Sequence, residues 1–297
     1  MSSLPFNWSK LQSADDMDVG RHFEYDSYAA EMFKKWLPVL PKNSKVLEVG
    51  SGSGFFTGKL YFLYPTAEIT CLEPDPELRE ALCKKHPNKK ILESPIESAG
   101  IFPETYDLAI SHIVIHNLPD PMAALKQMRD AVKPGGFIAC IEPTAGYRHI
   151  LPQERISKAH DTLGEYSRIM SRKRVEVMNL GDRGNPYSWS YPEFFEELGL
   201  SNISSYGWCS VFTLSDSRFD FEHRKMWISR RKKLLLDVRD ERTRVLVDAG
   251  MNLGRIEDAY EVILGYFETL ENATEEELSH IHEQMIANRI ITIGQKV

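Results

Sequence analysis

Nine consecutive residues, Val46 to Gly54 (VLEVGSGSG), constrain the fold of this 297-residue chain more than any other segment. They begin in a short run of strand-forming residues, and a stretch with helical composition follows them directly. Glycines at alternate positions let the main chain turn tightly and approach a ligand without interference from side chains. The segment therefore predicts a strand, a ligand-binding turn and a helix, in that order.

Short apolar runs and helical segments alternate between residues 45 and 141. Strands are predicted at Lys45–Val49, Glu68–Leu72, Lys90–Leu92, Tyr106–Ser111 and Phe137–Ile141, and helices at Phe55–Tyr64, Pro76–Lys85 and Pro121–Val132. Such alternation is typical of an α/β fold in which a parallel sheet carries helices on both faces. Two later strands, Ser204–Leu214 and Arg289–Ile293, complete a mostly parallel, Rossmann-like sheet of seven strands.

Two mainly helical insertions interrupt the predicted sheet, and we expect them to cover a substrate site. The predicted parts of the chain are an N-terminal arm and lid helix (1–40), a ligand-binding core (41–145), a helical insertion (146–190), a continuation of the core (191–215), a second helical insertion (216–286) and a final core strand (287–297). Residues 1–20 are polar and lack periodicity, so they are expected to form a loose arm. Tyr25–Leu37 carries apolar residues at helical spacing.

The spacing of the glycines separates two kinds of nucleotide-like ligand. The dinucleotide fingerprint is G-x-G-x-x-G. Counted from Gly50, its last glycine is replaced by Phe55, and counted from Gly52 it is replaced by Thr57. The observed pattern is E-x-G-x-G-x-G and resembles the first motif of class I S-adenosylmethionine-dependent methyltransferases. By this resemblance the loop residues assigned to the cofactor are Glu48, Gly50, Ser51, Gly52, Gly54 and Phe55.

Further segments resemble the same family in its order and spacing. Glu73 ends the second predicted strand, where an acid accepts hydrogen bonds from the hydroxyls of a ribose. Ser111–Asp120 (SHIVIHNLPD) resembles the family's segment after the fourth strand, and Lys133–Gly136 (KPGG) resembles the turn before the fifth. The resemblance is strongest over residues 25–145. It implies a methyltransferase whose cofactor is S-adenosyl-L-methionine.

The resemblance assigns other residues to the cofactor pocket. Pro95 stands where many family members have an acid that meets the adenine amino group, which leaves the backbone of Ile96 and apolar packing to hold adenine. Tyr25 and Tyr28 lie on a helix that folds over the cofactor in many relatives. One of their hydroxyls could reach the methionine carboxylate, although both tyrosines also fit a core stripe. The predicted set is completed by Pro74, Ser111, His112 and His116.

Methyl transfer needs a nucleophile placed about 3 Å from the methyl carbon, and a base only if the acceptor must lose a proton. Histidine suits the role of base because its pKa lies near neutrality. His112 directly follows the fourth predicted strand, where open parallel sheets bind their ligands. His149 follows the end of the fifth strand, and Glu142 lies at that end. We predict these three as catalytic candidates, although a structural role fits each equally well; His116 fits better as an anchor of the following turn.

The acceptor is predicted to be a small molecule or a short peptide, methylated on oxygen, nitrogen or sulfur. Methyltransferases of DNA bases carry an acid or Asn followed by Pro-Pro-aromatic after the fourth strand, whereas this chain has Ser111–Val114 (SHIV), which disfavours DNA. The aromatic residues that could line an acceptor pocket are Tyr147, Tyr187, Trp189 and Trp208.

Two alternatives stay open at this point. The basic run Arg224–Lys233 would suit an RNA or protein methyltransferase. It equally fits a solvated helix face, or pairing with the acidic stretch at 257–277 within one chain or across a homodimer formed by the helical insertions. The second alternative is a biosynthetic protein that keeps this fold without transferring methyl, because a fold does not fix a function.

Composition adds constraints on partners and compartment. The chain is 42% hydrophobic and 27% charged, with a net charge of −7, which is ordinary for a globular protein and argues against a generic nucleic-acid binder. Its four cysteines form no CxxC pair, so no metal site is predicted. No signal peptide or apolar run of membrane length is visible, so we predict a cytoplasmic protein without a membrane partner.

Overall fold

The computed structural model describes residues 9, 13–25, 27–144, 148–177 and 189–297. The chain divides into two compact units. Unit 1 comprises Met1–Gly146, Pro186–Cys209 and Asn288–Val297, and unit 2 comprises Tyr147–Asn185 and Ser210–Ala287.

The elements are numbered along the chain. The helices are α1 (Ala14–Glu24), α2 (Ser27–Trp36), α3 (Phe55–Leu63), α4 (Pro76–Lys85), α5 (Pro121–Ala131), α6 (Glu154–Val177), α7 (Tyr191–Glu197), α8 (Phe221–Asp237), α9 (Arg239–Asp248), α10 (Leu253–Asn272) and α11 (Glu275–Ser279). The strands are β1 (Lys45–Val49), β2 (Glu68–Leu72), β3 (Lys90–Leu92), β4 (Tyr106–His112), β5 (Val132–Pro143), β6 (Arg148–Ile150), β7 (Leu200–Thr213) and β8 (Gln284–Lys296).

Five parallel strands of unit 1 lie in the order β3-β2-β1-β4-β5. β8 runs antiparallel to β5 and also pairs with β7. The strand order reverses between β1 and β4, so right-handed crossovers place α3 and α4 on the opposite face of the sheet from α5. Such a reversal opens a crevice at the carboxyl ends of the strands, where ligands bind. The predicted Rossmann-like fold is confirmed, and the short strand β6 is an addition to the seven predicted strands.

The central strands form because nearly every side chain in them is buried. β1 and β2 each begin with an exposed residue and continue with four buried ones, the pattern expected of parallel strands covered on both faces. The helices that follow two of the strands begin at capping residues. Asp75 accepts from the first-turn N–H groups of α4, and Asp120 does the same for α5. The end of each strand and the capped start of the next helix together set the position of the connection between them.

α1 corrects the prediction that residues 1–20 form a loose arm, because residues 14–20 are helical. Asp18 on this helix accepts a hydrogen bond from the hydroxyl of Ser53 at 2.5 Å and pairs with the ammonium of Lys85. Both partners belong to unit 1 but lie far along the chain. Tertiary contacts of this kind leave no periodic pattern in the sequence, and for that reason the helix was missed.

Unit 2 is mainly helical in its described part. α6 packs against α10, α8 packs against α10, and α9 packs against both α6 and α10. β6 pairs antiparallel with the first residues of β8, so that His149 lies opposite Met285. Among the helices that the structure describes, none has the length and apolar character required to cross a membrane.

Candidate active site

The loop after β1 is fixed to the end of β2 by its own backbone. The N–H groups of Gly50 and Ser51 both donate to the carbonyl of Leu72, at 2.8 and 3.0 Å. Gly50 has a φ of +68°, and a Cβ there would lie 2.5 Å from Cγ2 of Val114. Gly54 has a φ of +85°, and a Cβ there would lie 2.8 Å from Cδ1 of Leu82. Both positions therefore exclude any side chain.

Gly52 differs from the other two glycines of the loop, Gly50 and Gly54, because it faces open space. Its φ is +55°, and a Cβ added to it would meet no described atom within 4 Å. Its N–H donates to Oε2 of Glu73 at 2.7 Å, which places the bare main chain beside that carboxylate. A cradle that a side chain would fill, next to a buried acid, fits the ribose and main-chain contacts of the predicted cofactor.

Glu73 is held in place by backbone donors on both of its oxygens. Besides the bond from Gly52, Oε1 accepts from the N–H of Asp75 at 2.9 Å. The residue is 4% exposed, and burial raises the pKa of its carboxyl while the two backbone N–H groups oppose that shift. Each carboxylate oxygen has more than one acceptor site. The geometry therefore leaves capacity for hydroxyl donors from a ribose.

Glu48 lies behind the loop, in the core rather than on the surface of the crevice. It is 1% exposed, and its Oε2 accepts from the hydroxyl of Thr57 at 2.6 Å. Its Oε1 has no hydrogen-bond partner among the residues that the structure describes. Burial, the largest influence, raises the pKa of Glu48 to about 7. The loop is thus built over a carboxyl group that holds a proton up to neutral pH.

Glu142 organises the segment that follows β4. Its Oε1 accepts from the N–H groups of Val114 and Ile115 at 3.1 and 2.9 Å, and its Oε2 lies 2.5 Å from Nδ1 of His116. Ile113 in the same segment has a φ of +58°, which is rare for a β-branched residue. Both oxygens of Glu142 are bonded to the segment after β4, so this carboxylate positions the segment whose Val114 lies beside Gly50.

His112 ends β4 and is buried within unit 1. Its Nε2 shares a hydrogen bond with the hydroxyl of Tyr25, and its ring stacks on Phe56 with centroids 4.6 Å apart. Burial, followed by the charges of Arg21 and Arg289, holds the pKa of His112 well below its usual range. The imidazole is therefore neutral, and in this arrangement its Nε2 is occupied by Tyr25.

The remaining predicted cofactor residues lie in several elements of unit 1. Ile96 is buried in a short 3-10 turn that Pro95 begins. The carbonyl of Pro74 accepts from Arg79 at 2.6 Å, and Ser111 is completely buried near the end of β4. Tyr28 is 62% exposed, so Tyr25 is the tyrosine of this pair that lies beside a catalytic candidate. Phe55 is the first residue of α3.

His149 belongs to unit 2, whereas His112 and Glu142 belong to unit 1. Its ring contacts that of His160, and burial with the charge of Arg231 lowers the pKa of His149 to about 2. Such a value makes the imidazole a weak base at neutral pH.

The four aromatic residues proposed for an acceptor pocket gain little support from the structure. Tyr147 and Tyr187 lie outside the described residues. Trp189 packs on Tyr191 and Phe194, and the ring of Trp208 packs on α2. Both tryptophans are buried, so ordinary packing explains them.

The basic run on α8 is engaged within unit 2. Lys225 donates to three carbonyls at the end of α10, at 2.6 to 3.1 Å. Lys232 pairs with Glu271 at 2.6 Å, and Arg224 lies 3.5 Å from Glu275. Arg231 pairs with buried Glu283. Of the interpretations that the sequence left open, pairing within one chain is the one observed.

Several residues of the site went unnoticed in the sequence. Asp75 carried a signal, since Asp-Pro-Glu typically begins a helix. Thr57 and Ser53 carried none, because their partners Glu48 and Asp18 are identified only by folding. The strained backbone of Ile113 is equally invisible, since nothing in the residue type requires a positive φ.

Comparisons with known proteins identify the family. Residues 47–140 match the family described as a methyltransferase domain. An uncharacterized methyltransferase of Schizosaccharomyces pombe is 33% identical over 207 residues, which cover 65% of this chain and 68% of that protein. A methyltransferase of Strobilurus tenacellus is 31% identical over 102 residues, covering 33% of this chain and 35% of that protein. The structure of phosphoethanolamine N-methyltransferase 2 of Haemonchus contortus in complex with S-adenosyl-L-methionine shares the fold at a TM-score of 0.50 and 11% identity, covering 99% of this chain and 60% of that one. This chain therefore belongs to the class I S-adenosylmethionine-dependent methyltransferases, enzymes whose cofactor is S-adenosyl-L-methionine.

Proposed function

We propose that this enzyme transfers the methyl group of S-adenosyl-L-methionine to an oxygen, nitrogen or sulfur atom of a small molecule or a short peptide. The observation that carries the cofactor assignment is the open main chain at Gly52 beside the carboxylate of Glu73. Gly50 and Gly54 are closed by packing, so Gly52 is the loop glycine at which a ligand can meet bare backbone.

The cofactor residues take distinct roles in this proposal. Glu73 accepts from the ribose hydroxyls, while Ile96 and Pro95 contact the adenine. The methionine end lies toward the N-terminus of α3, where Gly54 occupies the N-cap position and provides no side-chain cap. Helix N-termini favour anionic groups, and the methionine carboxylate is such a group. When bound, the cofactor supplies the electrophilic methyl group, and the protein supplies its orientation.

The acceptor class rests on charge. Nucleic-acid binding requires cations free to contact phosphates. The side chains of Arg224, Lys225, Arg231 and Lys232 are instead engaged with carboxylates or carbonyls of unit 2. Together with the net charge of −7, this pairing favours a small acceptor over RNA.

Among the catalytic candidates, we propose His112 as the residue nearest the chemistry. It lies at the carboxyl end of β4, beside the strand that carries the glycine loop. Its lowered pKa makes it a weak base in this arrangement, as for His149, and to accept a proton at Nε2 it must first lose the hydrogen bond of Tyr25. Glu142 acts as a positioning residue, because its oxygens are bonded to Val114, Ile115 and His116.

The experiment that tests the function begins with calorimetry of the full chain against S-adenosyl-L-methionine and S-adenosylhomocysteine. Glu73→Ala is expected to weaken both affinities at least tenfold, while Glu68→Ala, at the exposed first residue of the strand that Glu73 follows, should leave them unchanged. Labelled cofactor is then incubated with lysate separated into small molecules, RNA and protein. Label recovered in the small-molecule fraction supports the proposal. Failure of cofactor binding at millimolar concentration, or label confined to RNA, would overturn it.

A further inference from the structure

His86 contacts the glycine loop, although nothing in the sequence assigned it to the site. It caps the C-terminal end of α4, where its own N–H donates to the carbonyl of Leu82 at 2.8 Å. Its half-buried ring reaches the loop, and Nε2 lies 2.8 Å from the carbonyl oxygen of Gly54. A carbonyl oxygen only accepts, so Nε2 carries the proton of this hydrogen bond. The ring also lies beside that of Tyr61 on α3, with centroids 5.7 Å apart.

The residue before His86 holds the same loop by a second route. Lys85 pairs with Asp18, and Asp18 accepts from the hydroxyl of Ser53 at 2.5 Å. Ser53 and Gly54 are consecutive in the loop, just as Lys85 and His86 are consecutive at the end of α4. Two neighbouring loop residues are therefore tied to one end of one helix. The route through Lys85 uses partly exposed side chains, whereas His86 bonds directly to the loop backbone.

Gly54 needs such a restraint, because glycine has more backbone freedom than any other residue. It occupies the N-cap position of α3 with a φ of +85° and provides no side-chain cap. Its carbonyl accepts from the N–H of Gly58 at 3.2 Å, which is the first hydrogen bond along α3. The bond from His86 to the same oxygen is the shorter of these two. His86 therefore helps to fix the peptide group at which the loop becomes a helix.

The direction of that peptide group matters for a ligand. The carbonyl of Gly54 and the N–H of Phe55 belong to one planar, trans peptide, so the two bonds point in opposite directions. The carbonyl points along α3, since Gly58 donates to it, and the N–H of Phe55 therefore points out of the N-terminal end of the helix. The first N–H groups of a helix have no partner within it and favour anions. The hydrogen bond of His86 thus sets the direction of one of these donors.

We propose that His86 is a positioning residue of the cofactor site: it holds the Gly54 carbonyl so that the N–H groups at the start of α3 point at the methionine carboxylate of S-adenosyl-L-methionine. The last step rests on the proposed function, which places that carboxylate toward the N-terminus of α3. His86 acts through the loop backbone, so its effect is confined to the methionine end. The adenosine is assigned to Glu73, Pro95 and Ile96, which follow β2 and β3.

The test compares two ligands that differ at the methionine end. S-adenosylhomocysteine carries the amino-acid carboxylate, whereas methylthioadenosine keeps the adenosine and the sulfur but lacks the amino acid. Affinities of the full chain for both are measured by calorimetry. His86→Phe keeps a ring beside Tyr61 but cannot donate. It is expected to weaken binding of S-adenosylhomocysteine roughly tenfold, and to change binding of methylthioadenosine less than about twofold.

Two further variants separate the hydrogen bond from other effects. His86→Gln has an amide that can donate to the Gly54 carbonyl, so it should bind S-adenosylhomocysteine within about threefold of the wild type. His280→Phe is the matched control. His280 also caps a helix, α11, and its Nδ1 lies 2.8 Å from the carbonyl oxygen of Glu276 in unit 2. This variant should leave both affinities unchanged.

NMR of the nitrogen-labelled, unmodified protein keeps the inference testable even if a variant fails to fold, because the neutral ring of His86 should carry its proton on Nε2. A proton on Nδ1 alone, wild-type affinity in His86→Phe, equal losses for the two ligands, or a His86→Gln as weak as His86→Phe would each overturn the inference. Glu73→Ala should weaken both ligands and so reports the ribose placement separately. Failure of the unmodified chain to bind S-adenosylhomocysteine would overturn the proposed function, and this inference with it.

Discussion

Replacing Glu48 by Gln should change how the stability of the protein depends on pH. The carboxyl of Glu48 is 1% exposed, and burial raises its pKa from 4.5 to about 7. In the unfolded chain the same group loses its proton near pH 4.5. Between these two values the folded state binds more protons than the unfolded state, so the free energy of unfolding falls as the pH rises through this window.

The size of the effect follows from the two pKa values. Integrating the difference in bound protons from pH 5 to pH 8 gives a loss of roughly 2–3 kcal/mol for the wild type. Glu48→Gln has no proton to lose, so this part of the pH dependence disappears. The amide oxygen can still accept from Thr57, which keeps the local hydrogen bond. Other titrating groups are common to both proteins and cancel in the comparison.

The assay is urea-induced unfolding of the wild type and the variant at pH 5 and pH 8, followed by circular dichroism. The stability difference between the two proteins should shift by roughly 2–3 kcal/mol in favour of the variant at the higher pH. Glu68→Gln is the matched control, because Glu68 begins β2 with an exposed side chain. If the free energy of unfolding of wild type and Glu48→Gln changed equally between pH 5 and pH 8, burial of this carboxyl would not explain the pH dependence.

Three further outcomes are expected. Gly52→Val should abolish detectable cofactor binding in calorimetry, because the valine side chain would fill the open space at a φ of +55°, whereas Gly265→Ala in α10 should leave binding unchanged. Unchanged cofactor affinity in Gly52→Val would show that the loop is not part of the site. Glu142→Gln should lower the free energy of unfolding by about 3 kcal/mol, since it leaves His116 and two N–H groups with a weaker partner; a change below about 1 kcal/mol in urea unfolding would contradict this. Asp18→Ala should increase the rate of proteolytic cleavage within α1 at least threefold, and an unchanged rate would show that Ser53 and Lys85 do not anchor the helix.

The parallel core was predictable because its signals are local. β1 and β2 are short runs that end where the glycine loop and Glu73 begin, and the structure has both strands at their predicted bounds. α4 has its predicted bounds for a similar reason, since Asp75 and Pro76 mark its start within the sequence itself. A run of apolar residues and a capping residue are both formed by residues that are adjacent in sequence, so these signals can be read from the sequence.

Other features depend on partners that only folding brings together. The α1 helix is held by Asp18 through residues 35 and 67 positions away, and no periodic pattern announces those contacts. Likewise, Glu142 at the end of β5 was a plausible base until its contacts with the segment after β4 were known. The ring of His149 on β6 contacts that of His160 on α6, and only His149 stood out in the sequence. A residue type predicts a chemical capacity, whereas the partner decides how that capacity is used.

Two departures from ordinary folding preferences lie in neighbouring strands of the sheet or directly after them. Glu48, near the end of β1, has a carboxyl oxygen with no hydrogen-bond partner among the described residues. Ile113, a β-branched residue that follows β4, has a φ of +58°. A strained backbone position costs about 1–3 kcal/mol, and a buried carboxyl adds its own penalty at neutral pH. Strands β1 and β4 are neighbours, so both penalties fall on the two strands between which the strand order reverses. Folding alone would favour removing them, and their location therefore supports a function for this part of the sheet, independently of the glycine motif.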